Sequence, residues 1–441
     1  MKNARRRILL TTFGSFGDLH PFLAVAAGLR DRGHHPIVAT VEMYRQKVEA
    51  AGLEFRLLRT ALIEHADREL IRNVFDMKNG AEFLIRKLVM PALRTAYMDT
   101  LVAAEDCDLL VSHPLTFATR LVAETHDIPW ASTQLAPMSF LSPYDPPVYS
   151  FAPLLAPLRG LGPILFRPLL ALVKHAASAW TEPYRHLRAD LGLPPADNPL
   201  FEDSYSPSLV LALFSGQLAA RQPDWPAQTV LTGFPFHDDG ASLSPELERF
   251  LDAGDPPIVF TLGSAAVLNS GRFYEDSAEA ARLLGRRAIL LVGSDPANRP
   301  AHLPEGVAAF DYAPFSKLFP RAAAVVHQGG VGTTGEAMRA GKPMLVMPYA
   351  IDQPDNADRV QRLGIGRVIS REEYSGPRAA RELGALLDQP EYRTRAARFA
   401  ENMAHEDGVA EACRHLEALL ESVHPPFVVQ PARPEYASIA I

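Results

Sequence analysis

The chain has 441 residues, room for two or three domains at the usual scale of about 100–200 residues each. Hydrophobic residues make up 47% and charged residues 22%, the balance of an ordinary globular protein. With a net charge of −7 and its Lys and Arg scattered, it excludes nucleic acid as an evident partner. Cys107 and Cys413 are the only cysteines. Two so far apart make neither a disulfide framework nor a zinc site, so a reducing cytoplasm is the expected setting.

In chain order, Arg5-Arg6-Arg7 reads as the solvated lip of a first strand, Arg7–Thr12. The apolar run behind it is too short for a signal peptide. A glycine loop follows, then an amphipathic helix expected over about Leu19–Arg32, with Gly33 as its C-cap. Further strands are expected at Ile37–Val41, Phe55–Leu58, Leu109–Val111 and Pro129–Thr133. Strand and helix alternating at this spacing predict a parallel sheet covered on both faces.

Residues 136–168 break the alternation with proline and aromatics, and predict an ordered lid or pocket wall. Phe151–Val173 is apolar enough to lie against a membrane in peripheral contact. Prolines, glycines, Arg159 and Arg167 interrupt it, so it is not expected to span one. A second alternation begins at Pro256, with strands at Pro257–Leu262, Arg287–Val292, Val307–Phe310, Ala323–Val326 and Pro343–Met347. The fold class is therefore α/β, two Rossmann-like parallel-sheet domains. The expected boundaries are 1–235, a linker at 236–255, 256–415, and a tail at 416–441 crossing back to the first domain.

The densest chemistry lies between His327 and Asn356. A β-branched strand enters the turn Gly329-Gly330-Val331-Gly332-Thr333-Thr334, which opens a helix ending near Gly341. Glycines let a backbone approach a ligand closely, and free N–H groups at a helix start favour an anion. Thr333 and Thr334 suit an N-cap and offer hydroxyls to phosphate. The next strand leads to Asp352-Gln353-Pro354-Asp355-Asn356, which in a parallel sheet emerges at the same edge. A carboxylate beside an amide suits sugar hydroxyls.

The pattern HxGGxGTxxEA, followed by GxPxxxxPxxxDQxxNA, resembles the nucleotide-sugar signature of family 1 glycosyltransferases with the GT-B fold, in which two domains face a cleft. The resemblance extends to Gly-Ser-Phe-Gly-Asp near the start and to Ser-Pro-Tyr-Asp-Pro-Pro, residues 142–147. It is closest to bacterial enzymes related to sterol glucosyltransferases, rhamnosyltransferases and antibiotic-modifying enzymes.

The resemblance implies roles. His327 would donate to the α-phosphate, while Gly329, Gly330, Gly332 and Thr333 would present donors to the diphosphate, with Thr334 assisting. Glu336 would bind ribose hydroxyls, Asp352 and Gln353 the donor sugar, and Asn356 would support that loop. Ser264 would flank the phosphates. Tyr312, Ala313 and Phe315 would meet the base. Plant relatives have Trp and Gln at the positions of Tyr312 and Phe315, and this departure leaves a UDP-sugar and a dTDP-sugar both open as the donor.

The loop Gly14-Ser15-Phe16-Gly17-Asp18-Leu19-His20-Pro21 lacks the full GxGxxG of a dinucleotide site. Many family members have Gly-His-x-x-Pro here; this chain puts Asp18 at the position of the base. His20 and His113 are the further candidates, His113 to orient or assist Asp18. The implied reaction is inverting transfer from a nucleotide-diphosphate sugar to a hydroxyl of a lipophilic small molecule: a flavonoid or other phenol, a sterol, a macrolide or a hydroxy-lipid. No cofactor and no metal are expected. Asp106-Cys107-Asp108 matches a metal-binding DxD only superficially, because it precedes its strand. The rival readings are a GT-B nucleotide-sugar epimerase and a non-catalytic nucleotide-sugar-binding protein.

Overall fold

The computed structural model describes residues 5–59, 68–149 and 152–422, and among these two wholly parallel sheets form. The first contains β1 (Arg7–Thr11), β2 (His35–Thr40), β3 (Glu54–Leu57), β4 (Leu109–Ser112), β5 (Trp130–Gln134), β6 (Val210–Ala212) and β7 (Thr229–Leu231). The second contains β8 (Ile258–Thr261), β9 (Ala288–Leu291), β10 (Val307–Phe310), β11 (Ala324–His327), β12 (Met344–Val346) and β13 (Gly366–Val368). Helices cover both faces, so the central strands are buried throughout, which is why they read as apolar runs rather than alternating ones.

The two sheets share one topology. Their orders are β3-β2-β1-β4-β5-β6-β7 and β10-β9-β8-β11-β12-β13, each reversing direction once, at β1/β4 and at β8/β11. At such a reversal the neighbouring strands send their connections to opposite faces, and a crevice opens outside their carboxyl ends. Thr11 pairs with Ser112, so the loop after β1 and His113 leave the first sheet side by side. Phe260 pairs with Val326, which does the same for Ser264 and His327 in the second. The expected two Rossmann-like halves are present.

Several local expectations are corrected. The first helix is Phe16–Asp31 and starts a turn earlier than the apolar period suggests. Ser15 is its N-cap and Asp18 its third residue, the two closing a capping box. Strands β6, β7 and β13 were not expected, and each has three residues. The stretch 136–168 is less irregular than expected, with 3-10 turns at Pro137–Phe140 and Pro153–Leu161 and a helix at Gly162–Ala177. Leu155–Asp190 is one helical run, long and apolar enough by length and composition to cross a membrane, with a mean hydropathy of 1.3 in its most apolar window. Its Gly162–Ala177 helix buries Phe166 and Leu170 and exposes Ile164 and Leu172. Within the stretch read as a linker, Ser244 caps a helix, Pro245–Asp252, that buries Leu247 and Leu251.

The chain crosses back at its end. The helix Gly408–Ser422 packs on Phe16–Asp31, and Cys413, Leu416 and Leu420 join the core of the first sheet. Contact is close: a Cβ on Gly28 would lie 2.5 Å from Val409 Cγ1 and 2.9 Å from Cys413 Sγ. Glu417 closes the edge by pairing with Arg32 at 3.0 Å and His34 at 3.2 Å. The expected tail beyond Ser422 lies outside the described residues. Leu416 is fully buried. Truncating it should therefore cost about 2–5 kcal/mol of stability in a urea titration of Leu416→Ala, whereas a loss well below 1 kcal/mol would mean that this helix is not docked.

Candidate active site

In the first sheet, the carboxyl end of β1 turns on Gly14, whose φ is +113°. A Cβ there would stand 2.4 Å from Asp18 Oδ2, so the carboxylate folds over this glycine. Asp18 Oδ2 accepts the Ser15 N–H at 2.7 Å and the Ser15 hydroxyl at 3.1 Å. Its Oδ1 lies 3.2 Å from His113 Nε2. His113 Nδ1 accepts the Leu115 N–H at 3.1 Å, so the imidazole proton sits on Nε2 and is donated to Asp18. Phe13 and Phe22 pack against that ring. The structure thus brings Asp18 and His113 together.

His20 does not join them. Its ring stacks on Phe16 at 5.2 Å and faces His237 at 5.1 Å. Burial, aided by the charges of His237 and Lys47, lowers its pKa to about 3. It belongs to an aromatic stack and not to the Asp18 pair.

In the second sheet, His327 ends β11 and is fully buried. Its Nδ1 accepts the Gly329 N–H at 3.0 Å, and its Nε2 has no partner among the described residues. Burial lowers the pKa to about 3, so the ring is neutral and carries its proton on the unpaired Nε2. Gly329, with φ +87°, has no room for a side chain: a Cβ would lie 2.9 Å from Val346 Cγ1 and 3.0 Å from the Gln353 carbonyl. Gly330 is the N-cap of the helix Val331–Arg339, without a side-chain cap bond, so neither threonine takes that place. Gly332 faces open space, and the first N–H groups of the helix have no partner within it. Thr333 is buried beside them. The Thr334 hydroxyl donates back to the Gly330 carbonyl at 3.0 Å.

The loop after β12 closes on this turn. Ile351 adopts the left-handed conformation, φ +61°, just before Asp352, the N-cap of the helix Gln353–Arg362. Strain at a non-glycine residue is often held at functional sites. Asn356 Nδ2 bonds both Asp352 Oδ2 at 2.8 Å and the Gly329 carbonyl at 2.9 Å, joining the two loops. Gln353 is buried and its Oε1 accepts the Tyr349 N–H at 2.9 Å, so half of this amide is committed to the backbone. Glu336 pairs with Arg339 at 2.6 Å, and burial holds its pKa above the usual value. Tyr312 is exposed, Ala313 buried, and Phe315 stacks on Phe319 at 4.4 Å. Ser264 is exposed at the tip of β8.

Sequence reasoning missed Gln328. Its amide wedges between Gly263 and Gly330, where Cβ atoms would lie 2.5 and 2.8 Å away, and its Oε1 is buried without a partner among the described residues. Its place between His327 and Gly329 was the available signal. The Asp106-Cys107-Asp108 triplet precedes β4, and Asp108 bonds Arg6 Nη1 at 2.9 Å and the Arg7 N–H at 2.7 Å.

The two halves meet at carboxylates. Burial raises the Asp352 pKa to about 7, the Asn356 bond opposes this, and the negative charge of Asp18 adds to it. Asp18 follows β1 at the reversal point of the first sheet, and its charge bears on Asp352, which follows β12 in the second. In the first half, Phe13, Leu58, Leu88, Val89, Leu93, Leu115 and Thr116 line a small apolar cavity of about 30 Å³.

With its pKa near 7 against about 3.9 for a free aspartate, folded Asp352 keeps a proton that the unfolded chain has already lost. Its contribution to stability therefore falls as pH rises from about 4 to about 7. Asp352→Asn should raise Tm over the parent by more at about pH 8 than at about pH 4. Equal shifts at both pH values would contradict this.

Two family models match: the glycosyltransferase family 28 N-terminal domain over residues 8–140, and the erythromycin biosynthesis protein CIII-like C-terminal domain over residues 284–419. The chain is 33% identical over 432 residues to O-mycaminosyltylonolide 6-deoxyallosyltransferase of Streptomyces fradiae, spanning 94% of this chain and 98% of that one. It is 26% identical to the sterol 3-beta-glucosyltransferase UGT80A2 of Arabidopsis thaliana, over 95% of this chain and 67% of that one. Among solved structures, the glycosyltransferase VinC in complex with dTDP superposes with a TM-score of 0.67 at 19% identity, over 95% of this chain and all of that one.

Proposed function

Because this chain belongs to the family 1 glycosyltransferases of the GT-B fold, enzymes that move a sugar onto a small-molecule acceptor, we propose that its donor is a UDP- or dTDP-sugar and that transfer proceeds with inversion. The observation that carries the proposal is Asp18, held by His113 at the reversal point of the first sheet, with its charge bearing on Asp352 after β12 of the second. In this reading Asp18 takes the proton of the acceptor hydroxyl. That oxygen attacks the anomeric carbon while the bond to the diphosphate breaks on the opposite side. The His327 Nε2–H and the amides at the start of the Val331–Arg339 helix receive the charge that develops on the leaving diphosphate. A neutral imidazole suits this role, since it donates without having to be charged in a buried place.

Asp352 and Asn356 would hold the donor sugar, with Gln353 bracing the loop from behind. Glu336 would bind the ribose by releasing Arg339. Ala313 and Phe315 would meet the base mainly through backbone. No step in this scheme calls for a metal, because the diphosphate meets backbone amides and an imidazole. The acceptor in this reading is a lipophilic hydroxyl compound, such as a phenol, a sterol, a macrolide or a hydroxy-lipid. The dTDP held by VinC and the sterol in the name of the plant relative favour the same reading.

The test is a screen of UDP- and dTDP-sugars with flavonoid, sterol and macrolide acceptors, read by mass. Conversion of a donor without an acceptor into another nucleotide sugar would show an epimerase instead. With the active pair in hand, Asp18→Asn should lower kcat by about 10²–10⁴-fold while UDP or dTDP affinity stays within a few fold. Near-normal transfer by that variant would remove Asp18 as the base.

A further inference from the structure

The segment Ser142–Tyr149, from the first half of the chain, lies on the helix Gln353–Arg362 of the second. Three carboxylates and three guanidinium groups join there. Arg359 Nε bonds Asp355 Oδ2 at 2.8 Å, and Arg359 Nη1 bonds Asp145. Arg362 reaches Asp145 at 3.2 Å and Asp358 at 2.7 Å. Arg159 holds Asp358 at 2.7 Å and the Pro146 carbonyl at 3.1 Å. The second oxygen of Asp355 accepts the Val148 N–H at 3.0 Å. Asp355 and Arg359 are buried. The far side of the segment is fixed too, by Ser142 to Asp224 at 2.6 Å and by Tyr144 to Arg167 at 2.9 Å.

This network is built to part and reform. Asp355 with Arg359, and Asp358 with Arg362, are neighbours four residues apart on one helix and stay paired if the halves separate. The groups left without an opposite charge would be Asp145 and Arg159, whose side chains already keep 15% and 16% of their surface in water. Separation therefore strands no buried charge. It costs only the charge-assisted bonds across the seam.

The same helix begins with Asp352, Gln353 and Asn356, so whatever seats the segment on it also sets the acceptor side against the donor side. The geometry points to Asp145 and Arg359 as an interdomain latch: positioning residues that place the acceptor-side segment over the bound donor without touching either substrate. This rests on the proposed transfer for its kinetic consequence but not for its structural one.

The test uses the full chain with Asp145→Asn, which cuts the cross-domain pair and leaves Asp355–Arg359 intact, and with Asp145→Glu as the conservative rescue. Amide exchange over residues 143–149 should quicken about tenfold or more in Asp145→Asn, while the helix 353–362 exchanges as before. UDP and dTDP affinities, by calorimetry, should stay within about threefold, because the diphosphate side is untouched. With the active pair from the donor screen, kcat/KM for the acceptor should fall about tenfold with donor KM unchanged, and Asp145→Glu should recover most of it. Unaltered exchange at 143–149 would overturn the latch, as would equal losses in donor and acceptor KM. A parent chain with no transfer at all would sink the proposed function, and the exchange result would still decide the latch.

Discussion

A fully buried N–H with no partner is the constraint around which this site is arranged. Leaving a buried donor unpaired costs about 1–3 kcal/mol, and His327 Nε2 bears that cost at the carboxyl end of β11. Its Nδ1 is fixed by the Gly329 amide, so the ring cannot flip its proton inward and escape. Gly329 must be glycine to bring that amide round, since Val346 and Gln353 leave no space for a side chain. Asn356 then ties the same turn to Asp352. One orphan donor, one glycine and one asparagine thus hold the turn and the carboxylate loop in fixed relation, and an anionic oxygen is the natural partner for what is left over.

The first half repeats the device with a different ending. His113 follows β4 as His327 ends β11, at the equivalent strand of the other sheet. Each histidine accepts the amide two residues on at Nδ1, which leaves its proton on Nε2. In the first half that proton meets Asp18; in the second it meets nothing. The same backbone trick therefore orients a carboxylate on one side and offers an empty donor on the other.

Much of this was legible in the sequence, for physical reasons. Strands buried on both faces show as β-branched runs, and His327–Asn356 carries its spacing within about thirty residues. What escaped depends on contacts that leave no local pattern. Strands β6, β7 and β13 have three residues each, too few to show a period. The first helix began before its apolar stripe because the capping box of Ser15 and Asp18 lies upstream of it. Thr333 and Thr334 are adjacent and chemically alike, yet helix phase turns the Thr334 hydroxyl back onto Gly330. Asp145 and Arg359 are separated by more than two hundred residues, and only the folded chain shows them to be neighbours.

The most direct measurement is of the His327 imidazole itself, by nuclear magnetic resonance on chain labelled at histidine nitrogens. The ring should stay neutral, protonated at Nε2 alone, from about pH 5 to about pH 8, because burial holds its pKa near 3. On adding UDP or dTDP its Nε2 proton should shift strongly downfield as it acquires an oxygen acceptor. A ring that titrates in this range, that carries its proton on Nδ1, or that ignores both nucleotides would contradict the account.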